Sequence, residues 1–420
     1  MFILDEIIRA TKGSLMAGDS NVSVRRVSID SRQVRRGDLF IAIKGDRFDG
    51  HDFLEEVIGK GAVALVVHKP VQLKKTNVPV VVVDDTVKAL GRLAHAHRLR
   101  FQVPVIAVTG SAGKTTTKEM IAAVLKKKYR LLYNKGTQNN HIGVPLTLLQ
   151  LSPKHQMALV ECGTNQPGDI AWLSRIARPD VAVFTNIGES HLERLKTLSG
   201  VLKEKWQLTA FMDRRSTAII NADDPLLLKQ SRAPHRFKIM TYRPDNAMAA
   251  FACGRLFKVP AKDIAMALSA FRCPPGRGEL VRLGKGWIIN DSYNANPVSM
   301  RFAARTLDAL KTKGKKIFVC ADMLELGPKA KALHAAVGKY IAGFPIDYLI
   351  TAGSLARLIA QGARKANGRM RIFDFDNAQA AQSKLTEILT NGDAVLVKGS
   401  RRMGMERVVE SLKKNFGART

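Results

Sequence analysis

The chain has 420 residues, of which 46% are hydrophobic, and its four cysteines are scattered without a C-x-x-C pair. The length favours two to four domains, and the cysteine spacing argues against a zinc ribbon or a disulfide framework and fits a reducing compartment. The net charge is +31, but the basic clusters are dispersed and are not interleaved with aromatic residues, so we expect a generally basic surface rather than a nucleic-acid site.

The chain lacks the usual signals for membrane insertion or export. No apolar run approaches the roughly 20 residues of a membrane-spanning helix. The opening MFILDEIIRATKG carries Asp5 and Glu6 early and does not have the pattern of a cleavable signal peptide. We therefore expect a protein of the cytoplasm.

The first 83 residues are predicted to form a small α/β domain. The runs RRVSID, DLFIAI, AVALVVH and VPVVVVDD have the alternating or continuously apolar pattern of strands, and turn residues separate them. The stretch HDFLEEVIGKG has helical spacing. The following KALGRLAHAHRLRF is predicted to be a helix that leads into the next domain.

The stretch VTGSAGKTTTKEM lies between an apolar, β-branched run and a helical pattern. Strand, glycine-rich turn and helix in this order are the context of a phosphate-binding loop, in which N–H groups at a helix N-terminus hold the anion. The full G-x-x-x-x-G-K-[ST] pattern is not met, since Val108 stands where the first glycine belongs. An ordinary turn with a solvated lysine is the alternative, but the flanking elements favour ATP or GTP.

The predicted loop gives two side chains distinct roles. Lys114 would reach the β- and γ-phosphates, and the Thr115 hydroxyl would bind Mg²⁺. The nucleotide contacts are expected from the loop as a whole, that is, from Thr109, Gly110, Ser111, Ala112, Gly113, Lys114, Thr115 and Thr116.

From about residue 84 to 276 strand and helix patterns alternate through MALVECG, DVAVFTNIG and STAIINADD, as in a parallel sheet whose strand ends carry a site. Glu161 ends one strand, where a carboxylate opposite a phosphate loop is the usual second anchor for Mg²⁺; a simple turn residue is the alternative. His191 follows the next strand at the same predicted edge, which favours a metal ligand over a structural histidine. Lys205 lies on a predicted helix, and the pattern alone gives it no role.

Pro274-Pro275-Gly276 marks a predicted domain boundary. Beyond it GWIINDSYNANP, KKIFVCADM, DYLITAG and GDAVLVKGS again alternate with helical patterns, so the rest of the chain is expected to form a Rossmann-like α/β domain. Asp291 and Asn296 after one strand, and Lys398 and Arg401 after another, are candidate contacts across a domain cleft.

Several motifs resemble the Mur ligases in order and spacing, namely TGSAGKTTTK, NNHIGVP, ECGTNQPGDIAWL, NIGESHLE, NADDP, DSYNANPVSM, ADMLELG and LVKGSRRMGME. The resemblance covers most of the chain. It implies a three-domain α/β architecture. A small N-terminal domain at 1–83 would bind the UDP substrate, a central P-loop NTPase-like domain with a parallel sheet would span 84–276, and a C-terminal Rossmann-like domain would span 277–420.

Within the family the chain is most similar to the branch that adds D-Ala-D-Ala to UDP-N-acetylmuramoyl-tripeptide in peptidoglycan precursor synthesis. The sequence YNANP, from Tyr293 to Pro297, stands where the sister branch typically has an aspartate–tyrosine–alanine–histidine run. The resemblance implies that ATP phosphorylates the tripeptide carboxylate and that the amine of D-Ala-D-Ala attacks the acyl phosphate. Such a reaction needs positioning and positive charge around two oxyanions.

The resemblance also implies the catalytic and metal-binding residues. Lys114, His191 and Lys205 are the catalytic candidates, and two Mg²⁺ ions are implied, with Thr115, Glu161, His191 and Lys205 as ligands. Lys205 falls where relatives carry a carbamylated lysine, and carbamylation turns an ammonium group into an anionic oxygen ligand for Mg²⁺.

Further contacts are implied around the nucleotide and the muramoyl substrate. Arg277, Asp291 and Asn296 would contact the nucleotide from the third domain. The opening IDSRQVRRGDLFIAIKGDRFDGHDF is similar to family members that bind the UDP part, and its candidates are Ser31, Arg32, Gly45, Asp49 and His51. Asn140, Asn165 and Arg194 are candidates for the muramoyl-peptide end. A monomer is expected.

The chain departs from the family between NADDP and DNAMAAFACGRL. Relatives carry several tens of residues more there, including a glycine–x–His–Asn motif where Tyr242 and Arg243 stand here. This leaves open whether one adenine-side contact and part of the central sheet are kept.

Three alternatives remain beside this ligase. Another amide ligase of the superfamily would take a different amino acid or peptide. A non-catalytic nucleotide-binding protein would fit the shortened segment, but Lys114, Glu161, His191 and Lys205 are all present. A nucleic-acid-dependent ATPase would fit the net charge. The sequence also leaves open whether the third residue of the tripeptide is diaminopimelate or lysine.

Overall fold

The structure is a computed structural model that describes residues 2–74, 77–243, 245–366 and 369–416. Within these ranges the strands form three sheets of five or six strands and one short ribbon. The sheets follow one another along the chain, and helices cover their faces. The expected three-domain α/β architecture is confirmed.

The N-terminal domain is built on the sheet β2-β7-β6-β5-β4, which is parallel except for the antiparallel pair β2 and β7. Each of the four predicted runs contains a strand of this sheet. Strand β2 was not predicted, because all four of its residues are exposed. The elements are β1 (Phe2–Ile3), α1 (Leu4–Thr11), β2 (Ser14–Ala17), β3 (Ser23–Val24), β4 (Arg26–Ser28), β5 (Asp38–Ile41), α2 (Leu54–Gly59), β6 (Ala64–Val67) and β7 (Val80–Val82).

Helix α3 (Thr86–Leu99) belongs to two cores at once. Its first half packs on the N-terminal domain through Ala89 and Leu90, and Ala94 packs on the central domain. The helix begins where the Asp85 side chain accepts a hydrogen bond from the Lys88 N–H, a strong N-cap. The predicted helix between the first two domains is confirmed.

The central domain contains a parallel sheet of order β13-β12-β11-β8-β10-β9. All residues of β8 and β10 are buried, as the apolar runs predict for a strand covered on both faces. The elements are β8 (Val105–Thr109), α4 (Lys114–Leu125), β9 (Leu131–Tyr133), α5 (Gly143–Leu148), β10 (Met157–Glu161), α6 (Asp169–Ala177), β11 (Val181–Phe184), α7 (Leu192–Leu195), α8 (Leu198–Trp206), β12 (Thr217–Asn221), α9 (Pro225–Ser231), β13 (Lys238–Tyr242), α10 (Asn246–Leu256) and α11 (Ala261–Ser269).

The shortened segment still completes the edge of this sheet. Strand β13 pairs with β12 in parallel from Lys238 to Tyr242. The buried Tyr242 hydroxyl donates to the Phe184 carbonyl oxygen at 3.1 Å, while Arg243 pairs with Asp223 at 3.2 Å. Tyr242 is therefore a core residue of the sheet.

The C-terminal domain contains the sheet β14-β15-β19-β16-β17-β18, in which only β14 and β15 pair in antiparallel fashion within the described residues. Strand β19 lies between β15 and β16, so the carboxyl ends of β15 and β19 are neighbours. The elements are β14 (Glu279–Leu283), β15 (Gly286–Asp291), α12 (Pro297–Ala309), β16 (Lys316–Ala321), α13 (Ala330–Ile341), β17 (Tyr348–Ala352), α14 (Ala356–Ala366), β18 (Arg371–Phe375), α15 (Ala378–Ile388), β19 (Ala394–Lys398) and α16 (Glu406–Phe416).

Of the helices in the described parts of the chain, none combines the length and the apolar character needed to cross a membrane.

Candidate active site

A cavity of about 940 Å³ lies between the carboxyl ends of the central and C-terminal sheets. The loops after β8, β10 and β11 line it from one side, and the loop after β15 and the end of β19 line it from the other. The structure brings most of the predicted site residues together here. Those that line the cavity are Ser111, Ala112, Gly113, Lys114, Thr116, Asn140, Glu161, Asn165, His191, Arg194, Arg277, Asp291 and Asn296.

Two glycines of the phosphate loop are required by conformation and space. Gly110 has φ +153°, and a Cβ there would lie 1.8 Å from the Thr185 hydroxyl oxygen. Gly113 has φ +79°, and a Cβ there would lie 2.9 Å from the Asn246 side chain. Glycine adopts these conformations without a steric cost, so the loop can fold back against β11 and α10.

Asn186, in the loop after β11, fixes the shape of the phosphate loop. Its carbonyl oxygen accepts from the Ser111 N–H, its Oδ1 accepts from the Ala112 N–H, and its Nδ2 donates to the Ala112 carbonyl oxygen, all within 2.9–3.0 Å. Helix α4 starts directly after these bonds. Its first N–H groups have no intrahelical partners and form a ready anion site.

Lys114 begins α4, and its Nζ donates to the Gly110 carbonyl oxygen at 2.8 Å. Burial lowers the pKa of Lys114, Glu161 opposes this shift and Arg277 adds to it. Thr109 instead ties two strands together, because its hydroxyl donates to the Cys162 carbonyl oxygen at 2.9 Å. Three predicted loop contacts do not line the cavity: Thr109, Gly110 and Thr115.

Glu161 ends β10 and is held from three sides. Its Oε2 accepts from the Thr115 hydroxyl and its Oε1 from Asn139 Nδ2, each at 2.7 Å. Its N–H donates to Asn134 Oδ1 at 2.9 Å. The carboxylate is 1% exposed, so it is fixed in orientation beside the phosphate loop.

The Thr115 hydroxyl and the Glu161 carboxylate suit Mg²⁺, which prefers oxygen ligands and usually binds one or two protein groups together with phosphates and waters. Over the described part of the chain, no three residues among His, Cys, Asp and Glu are grouped to hold a metal ion by themselves. The two oxygen donors fit an ion that also binds nucleotide phosphates.

His191 lies at φ +52° just before α7, and its Nδ1 is 2.6 Å from Glu325 Oε2 of the C-terminal domain. Burial lowers the pKa of His191, the hydrogen bond to Glu325 opposes the shift, and Lys205 and Lys114 add to it. A carboxylate at Nδ1 orients the ring and leaves Nε2 available, as in many metal-binding histidines.

Lys205 lies on α8 and is 1% exposed. Burial holds the pKa of Lys205 well below its usual value, the charge of Lys114 adds to the effect, and Glu204 opposes it. The neutral amine is the nucleophilic form of a lysine. Lys205 is close enough to His191 to lower the pKa of that histidine. Lys114 is close enough to Lys205 to lower the pKa of Lys205.

The C-terminal domain contributes a buried ion pair. Lys398 Nζ donates to Asp291 Oδ2 at 2.6 Å and to the Asn294 carbonyl oxygen at 3.0 Å. Burial raises the pKa of Asp291, and Lys398 and then Arg277 oppose the shift. The Arg277 guanidinium stacks over the Tyr293 ring at 3.9 Å. The nearby Cys273 is partly buried on the cavity wall.

One amide joins the two halves of the cavity. Asn296 Nδ2 donates to the Ser111 carbonyl oxygen of the phosphate loop at 3.1 Å. Its Oδ1 accepts from the Ser299 N–H at 2.9 Å and caps α12.

Three predicted substrate contacts line the cavity from the central domain, and each already has a local partner. Asn140 Oδ1 accepts from the Gly143 N–H at the start of α5. The Asn165 N–H donates to an Asp169 carboxylate oxygen. Arg194 donates to Gln166 Oε1 at 2.7 Å.

The residues predicted for the UDP part lie in the N-terminal domain and do not line the cavity. They are Ser31, Arg32, Gly45, Asp49 and His51. Arg32 pairs with Asp30 at 2.9 Å after β4, and Asp49 Oδ1 is 2.6 Å from His51 Nδ1 in the loop after β5. Because β4 and β5 are parallel neighbours, both loops leave the same edge of the sheet.

Three residues that the structure places in the site were not among the predicted site residues: Asn186 shapes the phosphate loop, Glu325 holds His191, and Asn139 bonds Glu161. Lys398 was expected only as a candidate contact across the domain cleft, and it pairs with Asp291. The motifs TNIGESHLE and ADMLELG contain the first two, but a motif does not reveal a partner far away in the chain.

Family models match almost the whole length of the chain. The Mur ligase family catalytic domain matches residues 23–98, the Mur ligase middle domain 108–266, and the Mur ligase glutamate ligase domain 276–401.

Two similar curated proteins share one name. The UDP-N-acetylmuramoyl-tripeptide–D-alanyl-D-alanine ligase of Bacillus subtilis is 36% identical and that of Escherichia coli 32% identical. The alignments cover 93% of both chains in the first case and 98% of both in the second.

Solved structures are similar over the same length. MurF from Acinetobacter baumannii has a TM-score of 0.90 at 29% identity and covers 99% of both chains. MurF from Thermotoga maritima in complex with ADP has a TM-score of 0.82 at 28% identity, over 94% of this chain and 99% of that one.

Proposed function

The chain belongs to the Mur ligase family and is an ATP-dependent amide ligase, and on that premise we propose how its own residues act. It joins D-Ala-D-Ala to UDP-N-acetylmuramoyl-tripeptide in peptidoglycan precursor synthesis. The observation that carries the proposal is the shared cavity, in which a phosphate loop and the Glu161 carboxylate face the Asp291–Lys398 pair.

The first step transfers the γ-phosphoryl group of ATP to the free carboxylate of the tripeptide. A bond forms between a carboxylate oxygen and the γ-phosphorus, and ADP leaves. Lys114 and the N–H groups that begin α4 lie on the cavity wall, where they would hold the β- and γ-phosphates in line with the carboxylate. The shift that burial imposes on Lys114 is offset when a polyphosphate binds beside it.

The second step is attack of the D-Ala-D-Ala amine on the acyl carbon: the C–N bond forms, the bond from the carbon to the phosphate oxygen breaks, and inorganic phosphate leaves with the proton that the amine gives up. Fixed positive charge stabilises the tetrahedral intermediate, and Lys114 is placed to supply it. Thr115, Glu161 and His191 would hold Mg²⁺, which neutralises phosphate charge when bound. Glu325 orients the His191 ring through Nδ1.

Lys205 is proposed to be carbamylated and to be the fourth metal ligand. Its depressed pKa favours the neutral amine, which is the form that reacts with CO₂. The carbamate would be an anion next to Lys114 and His191, where it adds an oxygen donor.

The acceptor dipeptide is proposed to bind in a second cavity of about 130 Å³ beside the first. Lys114 and His191 line it on the phosphate side, and Ser400, Arg401 and Arg402 line it on the other. The arginines suit the free carboxylate of D-Ala-D-Ala, which leaves its amine toward the phosphates. We expect Arg402→Gln to raise the KM for D-Ala-D-Ala and to leave the KM for ATP unchanged.

The remaining contacts stay proposals of the same kind. The edge of the N-terminal sheet that carries Arg32 and His51 would bind the UDP part, and Arg277 and Asn296 would bind the nucleotide. We also propose the division into 1–83, 84–276 and 277–420, a monomeric state and a cytoplasmic location.

The test is phosphate release with ATP and Mg²⁺, with and without UDP-N-acetylmuramoyl-tripeptide and D-Ala-D-Ala, beside Lys114→Ala. We expect release that needs both substrates and falls by about 10²–10³-fold in the variant. Tripeptides ending in lysine or diaminopimelate are compared in the same assay.

Other outcomes would contradict the proposal. Release that needs a different amine would indicate another amide ligase. Release stimulated by DNA or RNA would indicate a nucleic-acid-dependent ATPase. Nucleotide binding without release would indicate a non-catalytic protein.

A further inference from the structure

Lys118 is a fully buried lysine that the proposed reaction does not use. It lies on α4, one turn after Lys114, and does not line the cavity. Its Nζ donates to the carbonyl oxygens of Asn134 at 2.6 Å and Gly136 at 3.2 Å, and it pairs with Glu119 at 2.7 Å. Burying an ammonium group is costly unless it is paired and hydrogen-bonded. The bonds of Lys118 meet this condition, and the residues that they hold indicate what the buried charge does.

The two carbonyl groups belong to the segment 134–140, which lies between β9 and α5 and has no regular secondary structure; we call it the 134–140 loop. It touches both halves of the active site. Asn134 and Asn139 bond the backbone and the carboxylate of Glu161. Thr137 Oγ1 accepts from the Tyr293 hydroxyl of the C-terminal domain at 2.9 Å.

We propose that Lys118 is a positioning residue for the ligase reaction, because it pins the 134–140 loop and so holds Asn139 against Glu161 and Thr137 against Tyr293. The Lys118 ammonium group binds two carbonyl oxygens of an irregular loop and so restricts the movement of that loop. Asn139 then keeps the Glu161 carboxylate in place. Binding of Mg²⁺ with the nucleotide and contact with the C-terminal domain then depend on the same loop. This inference rests on the proposed role of Glu161 in holding Mg²⁺.

The experiment compares Lys118→Met with a matched control, Lys315→Met, in the full-length protein. Lys315 likewise donates to a backbone carbonyl, that of Ile388 at 2.5 Å, and pairs with Asp393 in the C-terminal domain, but it does not line either cavity. Binding of a fluorescent ADP analogue is titrated with Mg²⁺ and again with EDTA. Thermal unfolding is followed for each protein.

We expect Mg²⁺ to tighten ADP binding in the wild type, and we call the ratio of the ADP affinities with Mg²⁺ and with EDTA the Mg²⁺ factor. We expect Lys118→Met to reduce that factor about tenfold, as loss of hydrogen bonds to a charged group implies, and to change the metal-free affinity by less than about twofold. Lys315→Met should keep both values, even if its unfolding temperature falls as much. A structural role alone would lower the unfolding temperature and leave the Mg²⁺ factor intact.

An unchanged Mg²⁺ factor in a folded Lys118→Met protein would overturn the inference. If Mg²⁺ does not tighten ADP binding in the wild type, the proposed role of Glu161 in holding Mg²⁺ is wrong, and so is that part of the proposed function. The wild type is therefore measured first. If Lys118→Met does not fold, Asn139→Ala tests the same loop from its other end. The same tenfold loss there supports the inference, and a wild-type factor there contradicts it.

Discussion

The N-terminal and central domains meet across helix α3, whereas the central and C-terminal domains meet across a cavity. At the first boundary the helix is packed without a gap, since a Cβ on Gly91 would lie 2.8 Å from the Trp172 ring. Two buried side chains donate across this boundary: His97 Nε2 to the Leu151 carbonyl oxygen at 2.9 Å and Arg98 Nε to that of Ala177 at 3.1 Å.

At the second boundary polar contacts stand around the cavity, and Leu333 of α13 packs on the central core. Asn296 reaches the phosphate loop, Tyr293 reaches Thr137, and Arg301 pairs with Glu189 at 2.8 Å. Each such contact is worth little by itself, and water can replace it when the surfaces separate. From this difference we expect the first two domains to act as one body and the C-terminal domain to close and open over the nucleotide.

Asn296→Asp should have the largest effect on the second boundary. Aspartate keeps the oxygen that caps α12, but it cannot donate to the Ser111 carbonyl oxygen and it places a negative charge beside phosphates. We expect kcat/KM for ATP to fall about 10²-fold, with the free energy of unfolding unchanged within about 0.5 kcal/mol.

Asn377→Asp is the matched control, since Asn377 caps α15 with nearly the same backbone angles and lies outside the cavity. Its kinetics should equal those of the wild type. If kcat/KM for ATP falls less than threefold in Asn296→Asp, the contrast drawn between the two domain boundaries is wrong.

Gly91→Ala should act on the first boundary through stability alone. The added methyl group overlaps Trp172 and Ile176, and overpacking of this kind costs about 1–3 kcal/mol. Urea unfolding measures the loss, and activity per folded molecule should not change. Gly59→Ala, in α2 with nothing within 4 Å of the new methyl group, should not destabilise the protein. A large change in KM for Gly91→Ala would mean that α3 also moves during the reaction.

Tyr293→Phe should weaken closure moderately. It removes the bond to Thr137 and keeps the ring under Arg277, so we expect a loss of about 0.5–1.5 kcal/mol, seen as a several-fold rise in the KM for ATP. Tyr129→Phe also removes one hydroxyl bond, to the Phe257 carbonyl oxygen at 2.7 Å, but at the far end of the central domain. Equal rises in KM for both variants would show that the effect is not specific to the boundary.

The smallest effect concerns pH at the first boundary. Burial lowers the pKa of His97, with the bond to Leu151 opposing, so the unfolded chain binds a proton first as the pH falls. The stability that His97 contributes is present above about pH 6.5, its unfolded value, and is lost as the pH falls through the folded pKa. His97→Gln should flatten the decline of unfolding free energy between pH 8 and 5, and an unchanged slope would argue against this cause.

Local patterns predicted the parts of the fold that are fully buried. Strands β8, β10 and β19 are continuous apolar runs and were expected. Strands β14, β18 and β13 were not, because they are edge strands with half-exposed residues whose pattern depends on what lies against them.

The same limit applies to the site. The phosphate loop is a local motif, so its position and glycines could be predicted. The side chains that bond His191 and Asp291 could not be predicted. Glu325 lies 134 residues from His191, and Lys398 lies 107 residues from Asp291. The family resemblance, rather than the pattern, selected Lys205, and its role as a carbamylated metal ligand is a proposal.

The wall of the cavity offers one practical consequence for spectroscopy. Three of the four cysteines are buried, and Cys273 is the partly accessible one. Burial raises the pKa of Cys273 and Asp291 adds to the shift, so alkylation would require mildly alkaline buffer. A dye attached there would sit between the two halves of the active site in the unmutated protein, and its emission could follow the approach of the C-terminal domain in real time.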